Sequence, residues 1–196
     1  MEKHEKVRQN LINAARKIFV RFGFEKTTMN EIALEARKGK SSLYYYFASK
    51  EEVFQAVVEY EAGIIVEKLK TAVNNSETLI DKARNFILVR FAEIQKLGNL
   101  YNALRDDFLN HLEFIKKARV QYDMMELNFI KALLNDGKQQ RIFDINDIDT
   151  IAETFQMTLK AVELPLLIDY ESEVFETRLN SLVDIFFYGI LTRNDE

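Results

Sequence analysis

Two closely spaced helix-start signals constrain the first part of this chain more than any other feature. Thr28 is followed three residues later by Glu31, and Ser49 is followed in the same way by Glu52, which is the capping-box pattern of a helix N-terminus. Gly39 lies between the two signals and interrupts the first helix. Only two short helices therefore fit before a longer one begins. Two short helices joined by a tight turn predict a helix-turn-helix.

The second short helix has one apolar and one polar face. Leu43 and Phe47 are four residues apart, which places them on the same side of a helix. Tyr44, Tyr45 and Tyr46 cannot all be buried, because successive helical residues point about 100° apart. At least one ring is expected to face outward, where its hydroxyl can reach a phosphate. The alternative is that the tyrosines pack against neighbouring helices, which we expect for part of the triplet.

The distribution of charge supports a nucleic-acid partner although the total does not. The chain has a formal net charge of −4. Residues 1–50 hold 11 Lys and Arg against 5 Asp and Glu, a net charge of +6, whereas the remainder holds 16 against 26. A basic first quarter attached to an acidic remainder is expected when one end binds phosphate and the other stays in solvent.

Sequence features of enzymes and metal proteins are missing from the 196 residues. There is no cysteine, and the two histidines, His4 and His111, do not follow a glutamate at metal-binding spacing. No phosphate-binding glycine loop or nucleophile elbow occurs. We therefore expect no catalytic residue, metal or cofactor. The sequence has neither a signal-peptide pattern nor a transmembrane run, so a soluble, cytoplasmic protein is expected.

Hydrophobic periodicity predicts an all-α protein with a three-helix N-terminal helix-turn-helix domain and a larger C-terminal helical bundle. We place the DNA-binding domain at residues 1–48 and the ligand-binding and dimerisation domain at residues 49–196. Gly23 is expected to end the first helix, Gly98 and Asn99 to break a middle one, and Gly137 to cap another. The predicted helices of the second domain span about residues 50–73, 79–97, 100–110, 112–135, 147–170 and 173–193.

The last two predicted helices are apolar around more than half their circumference. Pairing with a second copy would bury the excess, since two helices from each subunit form a four-helix interface about a two-fold axis. The alternative is a fully buried pair in a monomer. We favour a homodimer through these helices, because two-fold symmetry also suits paired DNA sites.

The segment from Val7 to Val58 resembles the N-terminal domain of TetR-type bacterial transcriptional regulators. Beyond this segment the likeness extends only to length and helical character. The resemblance is carried by these residues, in the family's order and spacing: Phe19, Phe22, Gly23, Phe24, Thr27, Thr28, Ile32, Ala33, Leu43, Tyr44, Tyr45, Phe47, Lys50, Glu51 and Phe54.

The resemblance implies a set of DNA contacts. It also implies dimers that form through the last two helices. A ligand bound in the C-terminal domain is then expected to change the spacing between the two DNA-binding domains of the dimer. In the turn this chain has Arg37, Lys38 and Gly39, which adds two positive charges expected to strengthen phosphate binding. The implied contacts to DNA backbone, major groove or phosphate are Thr27, Thr28, Met29, Lys40, Ser41, Ser42, Tyr44, Tyr45, Tyr46 and Lys50; Lys38 of the turn joins the predicted DNA-binding residues for its charge.

The second domain contains enough aromatic and sulfur-containing side chains for a ligand pocket, although such residues at helical spacing are more often plain core. The predicted pocket residues are Phe86, Arg90, Tyr101, Arg105, Phe108, Met125, Phe129 and Phe155; Phe91, Met124, Met157 and Gln156 are further candidates.

Together these features predict a homodimeric transcriptional regulator that binds an inverted-repeat operator in double-stranded DNA. We expect a repressor that is relieved by an unknown small-molecule effector. A second hypothesis is a helical small-molecule-binding protein that no longer reads DNA. A third, a helical enzyme, would need turnover that survives deletion of residues 1–50.

Overall fold

A computed structural model describes residues 2–100, 112–168 and 172–190 of the chain. Within these ranges every regular element is a helix, which confirms the all-α prediction. The helix predicted over residues 100–110 lies outside the described residues. The helices are α1 (Glu2–Lys26), α2 (Met29–Glu35), α3 (Lys40–Tyr46), α4 (Lys50–Asn74), α5 (Leu79–Leu100), α6 (Leu112–Gln139), α7 (Ile148–Ile168) and α8 (Ser172–Ile190).

The first helix is interrupted at Gly23, as predicted. Gly23 has φ 77° and ψ 172°, values that glycine adopts readily and other residues avoid. The buried hydroxyl of Thr27 donates to the Gly23 carbonyl at 2.6 Å, which stabilises the chain beyond the break. The sequence signal for the end of the regular helix was therefore read correctly, although a further helical turn extends to Lys26.

The first compact unit comprises Met1–Ile64 with Leu97–Val120. Its described core is apolar and comes from α1 to α4. Phe19, Phe24 and Phe54 form a cluster of rings with centroids 5.1–5.9 Å apart. The guanidinium of Arg16 binds both carboxylate oxygens of Glu61, which joins α1 to α4. Fully or nearly buried members of this core include Leu11, Ile12, Ala15, Ile32, Leu43, Val53 and Val57.

The second compact unit comprises Ile65–Lys96 with Gln121–Glu196. The division between the units lies inside the continuous helix α4, whereas the sequence placed a boundary after residue 48. That boundary stays a prediction of where the DNA-binding part ends. None of the helices in the described ranges combines the length and apolar character that crossing a membrane requires.

Two helix ends in the second half differ from the prediction. The helix α5 continues through Gly98 and Asn99 to Leu100, so these residues do not break it. The helix α6 continues past Gly137 to Gln139, so Gly137 is not its cap. A Cβ atom built on Gly137 would lie 2.0 Å from the Phe143 ring, which explains the glycine by close packing instead.

Candidate nucleic-acid interface

The start of α2 is fixed by a reciprocal pair of hydrogen bonds. The Thr28 hydroxyl accepts from the backbone N–H of Glu31 at 3.3 Å, and the Glu31 carboxylate accepts from the backbone N–H of Thr28 at 2.8 Å. This is the predicted capping box, and it is confirmed. Thr28 itself is exposed at the start of the helix.

Two apolar side chains anchor α3. Leu43 is fully buried and Phe47, which follows the last helical residue, is nearly so. The guanidinium of Arg8 on α1 lies over the Phe47 ring, 5.3 Å from its centre. The apolar face predicted for this helix is therefore confirmed, and its burial determines which residues remain outside.

The opposite face of α3 is polar and open. Tyr45 is 74% exposed and Tyr44 is 46% exposed, which confirms the prediction that at least one ring of the triplet faces outward. Lys40 and Ser41 are exposed as well, and Ser42 is half-buried. The ammonium of Lys40 lies 5.8 Å from the centre of the Tyr44 ring. Hydroxyls, a cation and two aromatic edges thus share one surface, which we call the α3 face.

Tyr46 is half-buried and packs against the beginning of α1. Its ring centre lies 4.5 Å from that of His4, which also meets Tyr45 edge-on at 5.7 Å. The sequence pattern does not connect His4 with this helix. No local pattern would have shown the contact, since it joins residues some forty positions apart in a tertiary interface.

Two of the residues implied as DNA contacts are part of the core. Thr27 is only 2% exposed, and its hydroxyl donates to the Gly23 carbonyl. Met29 is buried in the same apolar cluster as Leu43. Because both side chains are enclosed by the fold, we leave Thr27 and Met29 out of the side-chain contacts; contacts through their backbone stay a prediction.

Lys50 has an intramolecular role as well as its predicted phosphate contact. Its ammonium donates to the carbonyls of Phe24 at 2.7 Å and Glu25 at 3.3 Å, and lies 4.3 Å from the Phe24 ring centre. These bonds satisfy carbonyls at the end of α1. They use two of the three N–H donors of the ammonium.

The start of α4 is capped as predicted on one side only. The Ser49 hydroxyl accepts from the backbone N–H of Glu52 at 3.3 Å. The Glu52 carboxylate reaches the backbone N–H of Ala48 at 2.7 Å, one residue earlier than the standard capping box requires. The cap still holds α4 directly after α3.

In the second unit, three predicted pocket residues line one small cavity. Phe86, Phe129 and Phe155 meet there, and the Phe86 and Phe129 rings are stacked with centres 4.4 Å apart. The cavity volume is about 10 Å³, which is room for a single water molecule at most. The cavity is too small for an effector in the structure, and its use by a ligand stays a prediction.

Arg90, predicted as a polar anchor for a ligand, is enclosed in a network of charges. It is 0% exposed, and its guanidinium binds the carboxylates of Glu126 and Glu163. Burial acts to lower the pKa of Arg90, but the two carboxylates outweigh it and the pKa is raised. The Glu126 carboxylate also accepts hydrogen bonds from Gln156 at 3.1 Å and from the Tyr122 hydroxyl at 3.4 Å. The charge of Arg90 is thus already paired.

The remaining pocket candidates are scattered. Phe91 is buried, whereas Met124, Met125 and Met157 are exposed on α6 and α7. Tyr101, Arg105 and Phe108 lie outside the described residues. Among the described residues, no group of three or more His, Asp or Glu side chains is placed to hold a metal ion.

Comparison with known sequences gives consistent results. A family model described as bacterial regulatory proteins, tetR family, matches residues 11–57. The HTH-type transcriptional regulator YfiR of Bacillus subtilis (strain 168) is 36% identical over 168 residues, which are 79% of this chain and 77% of YfiR. YvaF, another such regulator of the same organism, is 31% identical over 175 residues, 83% of this chain and 85% of YvaF.

Solved structures agree in fold. A transcriptional regulator from Cytophaga hutchinsonii ATCC 33406 has a TM-score of 0.75 and 27% sequence identity, covering 93% of this chain and 97% of its own. AibR, solved in complex with isovaleryl coenzyme A and operator DNA, has a TM-score of 0.62 at 16% identity, covering 92% and 98%. The chain has a helix-turn-helix with an open α3 face, and it is similar to YfiR and YvaF over most of their length. It is therefore a helix-turn-helix transcriptional regulator of the tetR family.

Proposed function

We propose that the protein is a repressor that binds an inverted-repeat operator as a homodimer and is released by a small-molecule effector held in the C-terminal helices. The observation that carries the DNA part is the α3 face. Leu43 and Phe47 fix the helix, while Lys40, Ser41, Tyr44 and Tyr45 stay outside. We propose no covalent chemistry. Because the proposed role requires access to DNA, we also propose that the protein is located in the cytoplasm.

The proposed contacts divide into two kinds. Side chains of the α3 face, apart from Tyr45, read base edges in the major groove, where a tyrosine ring can meet a thymine methyl and a lysine can meet guanine. Tyr45 and the flanking residues bind phosphates and set the register. The base-reading group is Lys40, Ser41, Ser42 and Tyr44; the phosphate-binding group is Thr28, Lys38, Tyr45, Tyr46 and Lys50.

Selection of bound fragments from random duplex DNA tests this function. Enrichment of an inverted repeat is the expected result. If about 6 to 10 phosphates are neutralised, log affinity should fall against log salt with a slope of roughly −5 to −9. A protein that enriches no sequence at low salt would instead be the second candidate, a helical small-molecule-binding protein that does not read DNA.

Exposed apolar side chains on the last two helices support the dimer. Met157 on α7 and Ile185 on α8 are 66% and 72% exposed in the single chain. Replacing both with aspartate should convert a dimer to a monomer in analytical ultracentrifugation. Met124→Asp on α6 is a matched control, since Met124 is also apolar and exposed but lies outside the proposed interface. A double variant that stays dimeric would contradict this assignment.

The aromatic cavity supports an effector with an apolar part. Phe86, Phe129 and Phe155 converge, and a ligand that separates their rings must prefer the state with poor operator geometry in order to lower DNA affinity. AibR shows that one protein of this fold binds a small molecule and operator DNA together. Mass measurement of small molecules released from denatured protein tests for a co-purified effector, and its addition should reduce operator binding.

A further inference from the structure

In the turn that follows α2, a residue other than glycine has a left-handed backbone conformation. The backbone N–H of Arg37 donates to the carbonyl of Leu34 at 3.0 Å, and that of Lys38 donates to the carbonyl of Ala33 at 2.9 Å. These two bonds define a Schellman motif, in which the left-handed position is usually glycine. Here it is Arg37, with φ 54°. A Cβ atom makes this conformation unfavourable, so arginine is strained where glycine would not be.

Among the described residues no side-chain contact of Arg37 compensates for this strain. The Arg37 side chain is exposed and makes no hydrogen bond or ion pair with any described residue. Glu35, a carboxylate nearby in sequence, pairs with Lys17 at 3.3 Å. The guanidinium of Arg37 therefore points to a role outside the chain.

The position of the turn indicates what that role is. Arg37 lies two residues before Gly39, the N-cap of α3. In a helix-turn-helix the first helix crosses the DNA backbone and the N-terminal part of the second meets the base edges, so the turn between them passes close to phosphates. Lys38 and Lys40 are exposed on either side of Gly39 and add to the positive potential.

We propose that Arg37 binds a phosphate of the operator, and that arginine is kept at this strained position for that contact. Arginine suits the contact because its planar guanidinium can bind phosphate oxygens in pairs. The inference rests on the proposed DNA-binding function and assigns a specific phosphate contact to Arg37, whose charge is expected from the sequence only to strengthen phosphate binding in general.

The chain contains its own control in Arg141. At the end of α6 the backbone N–H of Arg141 donates to Lys138 at 3.0 Å, and that of Ile142 donates to Gly137 at 2.8 Å, which is a second Schellman motif. Arg141 also has a left-handed backbone, with φ 59°, and is exposed. Replacing either arginine with glycine removes one positive charge and relieves one left-handed residue. Arg141 also has an interaction within the chain, so the two positions differ in location and in that interaction.

The experiment measures operator affinity over a salt series for wild type, Arg37→Gly, Arg37→Lys and Arg141→Gly. Arg37→Gly should bind more weakly, with the log–log salt slope shallower by about 0.9 for each Arg37 that contacts a phosphate. Arg37→Lys should keep the wild-type slope because it keeps the charge, and Arg141→Gly should bind as wild type does. The thermal midpoint of Arg37→Gly should rise by up to about 2–4 °C, which excludes unfolding as the cause of weaker binding.

Three results would overturn the inference. An unchanged slope for Arg37→Gly, with wild type binding its operator, would remove the contact and leave the proposed function intact. An equal loss of slope in Arg141→Gly would mean that net charge, not location, controls binding. A wild-type protein that selects no duplex would overturn the proposed function and this inference together.

Discussion

The two units differ in the extent to which charged side chains are buried in their interiors. Among the described residues up to Ile64, the buried side chains are apolar apart from Thr27 and Glu61. In the second unit the interior holds Arg90, which pairs with the carboxylates of Glu126 and Glu163 across α5, α6 and α7. The first arrangement leaves Lys38 and Lys40 exposed on its surface. The second encloses Arg90.

This difference indicates where each region is sensitive to substitution. An apolar core loses stability in proportion to the volume removed, and its surface can change with little effect on the fold. A buried ion network is sensitive to the loss of a single charge, because the remaining partners are left uncompensated. The following substitutions test whether the two regions differ in this way.

The largest effect is expected from Arg90→Met. Removal of the guanidinium leaves the carboxylates of Glu126 and Glu163 buried without their shared partner. Breaking a buried ion pair in this way costs about 3–5 kcal/mol. Chemical denaturation at neutral pH measures the loss in the free energy of unfolding.

The control for this prediction removes all three charges. Arg90→Met combined with Glu126→Gln and Glu163→Gln should recover part of the lost stability, because no buried carboxylate is then unpaired. If Arg90→Met alone costs less than about 1 kcal/mol, the network is not held by charge and the comparison with the first unit fails.

Leu43→Ala and Tyr44→Ala test the two faces of α3. Leu43 is fully buried, so its truncation leaves a cavity and should cost about 2–5 kcal/mol. Tyr44 is exposed, so its truncation should reduce base discrimination in operator binding with little change in stability. Thermal unfolding and binding to operator variants separate these effects. Equal destabilisation by both would mean that the faces are assigned wrongly.

A smaller effect is expected from Gly137→Ala. The new Cβ atom would meet three carbons of the Phe143 ring at 2.0–2.8 Å, and overpacking of this kind costs about 1–3 kcal/mol. Gly63→Ala in α4 is the matched control, because nothing lies within 4 Å of its Cβ position. There the higher helix propensity of alanine should add up to about 1 kcal/mol. Unfolding curves in denaturant should therefore shift in opposite directions.

The smallest effect concerns pH. Burial acts to raise the pKa of Glu93, but hydrogen bonds from Lys68 and Lys96 outweigh it and the pKa is lowered. A carboxyl whose pKa is lower in the folded state stabilises the protein above its unfolded pKa and loses this contribution as the pH falls through the folded value. Glu93→Gln should thus cost about 0.5–1 kcal/mol at pH 7 and less below about pH 4. A difference from wild type that is constant over this range would contradict the prediction.

Much of the first unit follows from local sequence signals. Thr28 with Glu31, Ser49 with Glu52, and the glycine at position 23 act over a few residues, and each fixed a helix end close to where it lies. The four-residue spacing of Leu43 and Phe47 likewise predicts that at least one tyrosine of the triplet faces outward, as Tyr44 and Tyr45 do. Such features depend on backbone hydrogen bonds that close within one turn, so the sequence is enough to predict them.

The interior of the second unit could not be predicted in this way. Arg90 meets Glu126 and Glu163 from positions 36 and 73 residues away, and no local pattern specifies such partners. Sequence reasoning therefore assigned Arg90 to a ligand. The sequence predicts Gly137 as a helix cap, because a local pattern does not show that the Phe143 ring packs against this glycine once the chain has turned after α6. The left-handed conformation of Arg37 does have a local sequence signal, because an arginine follows a short helix at the position where glycine is usual.

The composition of the α3 face has a practical consequence. The chain has no tryptophan and eight tyrosines, so its intrinsic fluorescence comes from phenol rings. Three of the eight are Tyr44, Tyr45 and Tyr46, and the first two are open to solvent. Stacking or hydrogen bonding against nucleotides should quench their emission, which would let docking be followed optically without a dye or a tag.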